Sequence, residues 1–363
     1  MISANNNFPE ISLFQEINKK NKDKNIIYSP IGVELLLSLC MNGSEGETKI
    51  ELLNFLKYKD IEDANKTELD IIKKSKSNKG TINLANLILT KIRVEEKFIK
   101  NGEKYDAKIE ELKNERQINT WCKTKTNGKI SKIIDKVSQN MKIILLNALY
   151  FESKWNIPFL NSMKKNFYNY GNKEKPKIID MMTSSIIRRP YLENEQLQTV
   201  KLEYLCKQFE CIVILPKDNI NIETFIQSFN YNTYKTILDE LKSVKVNLLM
   251  PKFKIEFGES LKEFLTNLGI KKSFSTTADF KGISKKTSLY ITDVVQKTYI
   301  NVNEDGTQAA AVTMIEMGET ECGEEETEKI YLMNVNRPFL FIIRCLDYPD
   351  GRDIVFISKI TKL

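Results

Sequence analysis

The spacing of hydrophobic positions changes partway along this chain. Near the start, Phe8, Ile11, Phe14 and Ile17 recur at three-residue intervals, which predicts an amphipathic helix over 8–20. "IIYSPIGVELLLSLCMNG" (26–43) reads as a short apolar strand running into a helix. Ser29 stands where it can cap that helix, and Pro30 takes the first helical position, where its missing N–H costs nothing. "SEGETKIELLNFLKY" (44–58) predicts another helix, and "RQINTWCKTKTNGKISKII" (116–134) one that stops near Asn127-Gly128 in a left-handed residue. "LANLILT" (84–90) is strand-like, and "MKIILLNALYF" (141–151) is a nearly unbroken apolar run, expected of a central strand buried on both faces. Further on, "FECIVILP" (209–216), the two runs of "SVKVNLLMPKFKIEF" (243–257) around Pro251, and "LYITDVVQKTYINV" (289–302) predict strands. "RPFLFIIRCLDYPDGRDIVFISKI" (337–360) predicts two more, joined by a Pro349-Asp350-Gly351 turn. One compact helix interrupts them at "SLKEFLTNLGI" (260–270), where Ser260 and Glu263 match a capping box and Gly269 ends the helix. Helices dominate the first third and strands the rest, with no repeat, so the fold class is α+β.

"NEDGTQAAAVTM" (303–314) fits neither period and is followed by the acidic tract "EMGETECGEEETEK" (316–329). Two readings stand. The stretch is an exposed connector, or it is a segment that at times becomes a strand inside a sheet. In the second case Thr307, Ala309, Ala311 and Thr313 share one face, and Gln308, Ala310, Val312 and Met314 the other. Small groups keep the barrier to sliding between packed strands low, and Gly306 supplies a hinge.

Composition narrows the function. The chain has 363 residues, enough for a large core, and no Gly/Ser- or Pro-rich linker divides it, so one domain over 1–363 is expected. There is no histidine, which removes Ser-His-Asp and Cys-His nucleophiles, HExxH zinc sites and imidazole bases. No phosphate-cradling glycine motif occurs, and no carboxylate pair forms a local constellation, so neither an enzyme nor a cofactor is expected. The net charge of +7 is scattered, which argues against nucleic acid; only Lys73, Lys74, Lys76 and Lys79 are dense enough to contact a polyanion. Six cysteines without a CxxC suit reduced thiols in a cytosol-like compartment. The N-terminal stretch lacks a signal-peptide pattern and the longest apolar run is too short for a bilayer. A cytoplasmic protein off the membrane is expected, with export by a route that needs no signal peptide left open.

"VNEDGTQAAAVT" resembles the hinge of the serpins, the serine protease inhibitor superfamily. "NIIYSPIGVELLLSL" is similar to that family's N-I-x-x-S-P-x-S motif, "INTWCKTKTNGKI" to I-N-x-W-x-x-x-x-T-x-G-K-I, and "LLNALYFESKWNIPF" to N-A-x-x-F-x-x-x-W-x-x-P-F. "MPKFKIE", "VQKTYINVNEDGT" and "VNRPFLFIIR" follow in the family's order, so the resemblance runs from about residue 10 to 360.

The resemblance implies a monomeric serpin fold with three β-sheets, about eight or nine helices and an exposed reactive-centre loop at about 304–335. A target serine protease would cut that loop, and the cut loop would insert into the central sheet while the enzyme stays covalently attached. The hinge would comprise Glu304, Gly306, Thr307, Ala309, Ala310, Ala311 and Thr313, of which Thr307, the three alanines and Thr313 are permissive of insertion. Counting from Gly306 places the reactive bond at Thr320-Glu321; Met317-Gly318, Glu319 and Lys329 are alternatives. The sheet-opening region would contain Ser29, Asn147, Trp155 and Gln296. Gly32 stands where a second Ser is common and Gln296 where a His is usual, so weak pH dependence of sheet opening between pH 5 and 7 is expected. The seven glutamates of the loop, from Glu316 to Glu328, suit either solubility or the steering of a basic chymotrypsin-like or elastase-like protease. A carrier, chaperone or storage serpin, and a cross-class inhibitor of cysteine proteases, are the alternative functions.

Overall fold

The structure, a computed structural model, describes residues 8–77, 81–138, 140–285, 288–307 and 328–363. Among the described residues the helical period fills the first part of the chain: α1 (Pro9–Lys20), β1 (Ile26–Tyr28), α2 (Pro30–Asn42), α3 (Gly46–Leu56), α4 (Ile61–Ser77), β2 (Ile82–Thr90), α5 (Glu96–Lys104), β3 (Ala107–Glu111) and α6 (Glu115–Lys125). Strands then take over with β4 (Ile143–Phe151), β5 (Ser153–Lys154), β6 (Asn161–Phe167), β7 (Lys177–Thr183), β8 (Ile187–Glu193), β9 (Leu197–Glu203) and β10 (Phe209–Pro216). After α7 (Ile222–Ser228) and α8 (Tyr231–Asp239) come β11 (Lys242–Pro251), β12 (Phe253–Ser260), α9 (Lys262–Asn267), β13 (Ile291–Val302), β14 (Gly306–Thr307), β15 (Tyr331–Asn334), β16 (Phe339–Cys345) and β17 (Ile354–Ile360).

The strands pair into two networks. The seven-stranded sheet has the order β3-β2-β4-β13-β14-β5, with β12 also on β13. The ten-stranded network has two halves, β1-β17-β16-β10-β9-β8 and β11-β7-β6 with β15, joined where β8 pairs both β9 and β11. Counted with the seven-stranded sheet, these halves make the three sheets expected from the sequence.

β4 is buried along its whole length, as its unbroken apolar run predicts. Ile143, Leu145, Leu149 and Phe151 face the main core. Ile144, Leu146, Ala148 and Tyr150 face a second core that α6 closes with Ile118, Trp121 and Cys122. The sequence "INTWCKTKTNGKI" explains how α6 is held there. Asn119 Oδ1 accepts from the N–H groups of Ile133 and Ile134, and its Nδ2 donates to Ile134 O. Thr126 Oγ1 bonds both Cys122 O and Ile130 N–H, and Asn127 and Gly128 turn the chain with φ of 48° and 78°.

Three local expectations fail for physical reasons. Ser29 precedes α2 but gives it no side-chain cap; its N–H is taken up by Gln296 instead. The Ser260–Glu263 capping box does not form, because β12 runs through Ser260, whose hydroxyl donates to Asp293 Oδ1 at 2.5 Å, and α9 starts at Lys262. The expected loop boundary at 335 is also too late. Tyr331–Asn334 is a strand lying parallel on β11, from Val246↔Tyr331 to Leu249↔Asn334.

A buried charged cluster ties the helices to the C-terminal hairpin. Arg352, in the β16–β17 turn, donates to Glu34 Oε2 of α2 at 2.6 Å and to Leu56 O of α3 at 2.5 Å, with its guanidinium over the Tyr58 ring. Glu68 of α4 accepts from Ser38 Oγ at 2.8 Å and Tyr58 OH at 2.9 Å. Burial, then the charge of Glu34, push the Glu68 carboxyl up to about 7 against the opposing pull of Arg352. Glu10 of α1, also buried, is raised by the same two causes. Between the ordinary carboxyl value of 4.5 and 7 the folded protein therefore holds a proton at Glu68 that the unfolded chain releases. Stability present at low pH is lost as pH rises through this window, by on the order of 3 kcal/mol. We expect the thermal midpoint to fall between pH 4.5 and 7, and Glu68→Gln, which keeps the acceptor oxygen, to remove most of that fall. An unchanged slope in the variant would refute the assignment.

Candidate functional site

The seam between β4 and β13 is the centre of the site. These strands lie side by side and parallel, paired from Ile143↔Ile291 to Tyr150↔Tyr299 with one register shift between Ile291 and Asp293. Two side-chain clusters hold it, one midway along and one at its end.

The midway cluster joins Ser29, Asn147 and Gln296. The Gln296 side chain spans the gap, accepting from Ser29 N–H at 2.9 Å and donating to Ser29 O at 2.7 Å and Asn147 Oδ1 at 2.9 Å. Asn147 donates on to Asn86 Oδ1 at 2.9 Å, across the β2–β4 pairing. One amide thus makes the bonds for which the family resemblance leads one to expect an imidazole, and no titratable group of the described residues bonds to Gln296 or Asn147. Gly32 has a steric reason: a Cβ there would lie 2.3 Å from Asn147 Nδ2. Asn86 was not singled out in the sequence, yet it stands directly opposite Asn147 in the strand register.

The sequence grouped Trp155 with these residues; the structure puts it at the other cluster. Eight residues separate Trp155 from Asn147 along the β4–β5 direction, roughly 25 Å at strand rise. There the chain leaves β13 and turns at Asn303, Glu304 and Asp305. It re-enters as β14, antiparallel to β13 (Val302↔Thr307) and to β5 (Gly306↔Lys154, Thr307↔Ser153). Trp155 Nε1 donates to Asn303 O at 3.0 Å, Trp155 N–H to Asp305 O at 2.9 Å, and Phe159 N–H to Glu304 O at 2.9 Å. The Trp155 ring stacks on Tyr204 at 4.5 Å, and Tyr204 OH and Thr307 Oγ1 share a hydrogen bond of 2.8 Å. Thr307 is fully buried. Glu304 accepts from Ser162 Oγ at 2.5 Å and pairs with Lys252 at 2.9 Å. Burial works to raise its carboxyl, but the Ser162 and Lys252 bonds outweigh this and hold it below its usual value.

Gly306 matters here for space rather than flexibility. A Cβ would sit 2.2 Å from Ser153 O and 2.7 Å from Lys154 Cα, so only glycine lets β14 approach β5. Of the other hinge and reactive-bond residues, Ala309, Ala310, Ala311, Thr313, Met317, Gly318, Glu319, Thr320 and Glu321 lie outside the described residues. Beyond them Glu328 is held by Arg188 at 2.8 Å and Lys245 at 3.4 Å. Lys73, Lys74 and Lys76 lie on α4; Lys74 pairs with Asp70 and Lys76 with Asp106, and Lys79 is outside the described residues. Cys40, Cys122, Cys206, Cys211 and Cys345 are free thiols. No helix of the described residues is long and apolar enough to cross a membrane.

The family model described as "Serpin (serine protease inhibitor)" matches residues 3–362. Iripin-1 of Ixodes ricinus is 33% identical over 362 residues, covering 94% of this chain and 90% of its own. Serpin B8 of Homo sapiens is 27% identical over 367 residues, covering 95% of each. The crystal structure of tengpin, a thermophilic serpin in its native state, superposes with a TM-score of 0.86 at 27% identity, over 98% of this chain and 92% of that one. The chain belongs to the serpin family. It is thus of a class of protease inhibitors and not of enzymes.

Proposed function

We propose that this protein is an inhibitory serpin that traps a serine protease as a covalent acyl-enzyme. The observation that carries the reading is β14. A strand folding back from β13 runs antiparallel to it, and because β4 is parallel to β13 it also runs antiparallel to β4. Extending β14 along the seam would replace one slanted parallel pairing by two antiparallel ones. Its first residues already occupy that position. The residues that follow Thr307 on the same face of an extended strand, Ala309, Ala311 and Thr313, are small in sequence. The reactive bond at Thr320-Glu321, with Met317-Gly318 and Glu319 as alternatives, and a basic chymotrypsin-like or elastase-like target are the finer parts of this reading. The seven loop glutamates favour a basic partner, and the free thiols suit a cytoplasmic setting.

Incubation with a panel of such proteases tests it. We expect an SDS-stable band at the summed mass, and mass spectrometry of the released C-terminal peptide to begin at Glu321. Simple cleavage without that band, across the panel, would sink the inhibitory reading in favour of a carrier or storage role.

A further inference from the structure

Arg189 on β8 is buried, 7% exposed, yet its Nε has no hydrogen-bond partner and, among the described residues, no carboxylate pairs with it. Burial alone pulls its guanidinium down to about 10. Its charged neighbours are accounted for. Arg188 holds Glu328 at 2.8 Å, Lys201 holds Glu210 at 2.6 Å, and Glu203 meets Asn156 Nδ2 at 3.4 Å. An unpaired buried cation destabilises the fold that holds it, which points to a ligand.

Arg189 lines a cavity of about 90 Å³, together with Trp155, Phe159, Arg188, Lys201 and Glu203. A water needs on the order of 10–15 Å³ by the same measure, so a small polyatomic ion fits. Of the charged lining residues, Arg188 and Lys201 already hold carboxylates outside the cavity, so Arg189 is the cation left free for a ligand, with Glu203 the one carboxylate on the wall. A planar guanidinium presents paired N–H donors matched to oxyanions. We propose that this cavity is a binding site for a phosphate-type oxyanion, held by Arg189 as either the free ion or the terminal group of a phosphate ester. The site shares a wall with the hinge. Trp155, which lines the cavity, holds the carbonyls of Asn303 and Asp305 and stacks on Tyr204. A bound anion would brace the closed top of the β4–β13 seam, whether or not the loop inserts there.

The test uses the full chain in a zwitterionic buffer at constant ionic strength, with inorganic phosphate or a phosphate monoester replacing chloride. Tryptophan emission and thermal midpoint are read. We expect a saturable emission change and a midpoint rise of roughly 4 °C at a hundredfold excess over Kd. Arg189→Met should abolish both responses and, in phosphate-free buffer, melt at or above the wild-type midpoint, since an unpaired buried charge is gone. Tighter binding of the ester would assign the site to a terminal group, equal or weaker binding to the free ion. The proposal is overturned by no saturable response in the wild type, by an undiminished response in Arg189→Met, or by a phosphate-free midpoint for that variant below the wild type. Should Arg189→Met not fold, the wild-type titration alone decides.

Discussion

Cutting the chain between Thr307 and Glu328 is expected to raise the thermal midpoint by about 20 °C. In the intact protein β4 and β13 meet along a parallel pairing, and among the described residues β14 contributes Gly306 and Thr307. Once cut, the segment after Thr307 is no longer held at its far end, where β15 is fixed on β11 and Glu328 on Arg188 and Lys245. It can then continue β14 along the seam with hydrogen bonds on both edges. Each such bond contributes about 1 kcal/mol net, so a full-length strand contributes on the order of 10 kcal/mol. In a chain of this size that corresponds to about 2 °C for each kcal/mol. The barrier is α6, whose Trp121 and Cys122 pack over the seam, and the Gln296 amide that links its two sides. On the proposed reading the intact fold is held kinetically. Calorimetry of intact and nicked protein checks this: coincident midpoints would show that the intact form is already the more stable packing.

Much of this architecture could be read in the sequence because the elements involved carry one-sided or two-sided burial. The run from Ile143 to Phe151 is apolar on both alternating faces because β4 lies between two cores. β6 escaped notice for the opposite reason: "NSMKKNF" is exposed at most positions and pairs only as an outer strand of its network. Ser29, Asn147 and Gln296 could be located through motifs, but Asn86 lies 61 residues from its partner Asn147 and is marked only by strand register. Glu68 looks like any acid on an amphipathic helix, and its burial follows from the packing of α4 on α2. Arg189 sits in "IIRRPYLENEQLQ", a polar stretch in which nothing local says that one arginine points inward. Its inward direction comes from the pairing of β8 with β11 and β9. The pH dependence of stability has its source elsewhere than the seam. Gln296 carries no proton switch, whereas Glu68, on a helix packed against α2, titrates in the physiological range.

Replacing Thr307 by arginine is expected to convert the protein from an inhibitor into a substrate. The Thr307 side chain is fully buried, and its hydroxyl bonds to Tyr204, itself buried under Trp155. An arginine there would lose that bond, at about 1–3 kcal/mol, and would be buried without a carboxylate if β14 stayed in place. The chain would instead leave the gap between β13 and β5, and insertion would lose its first step. Attack on the bond proposed at Thr320-Glu321, 13 residues further along the chain, involves none of these contacts. We therefore expect the cleavage rate to stay near the wild-type value while the fraction of encounters ending in an SDS-stable complex falls at least tenfold, because about 1.4 kcal/mol already shifts a partition by that factor. Thr307→Ser keeps the hydroxyl and should behave as the wild type. Titration of inhibition stoichiometry separates the outcomes. A Thr307→Arg protein that still inhibits near one to one would mean that insertion does not proceed through the Gly306–Thr307 strand.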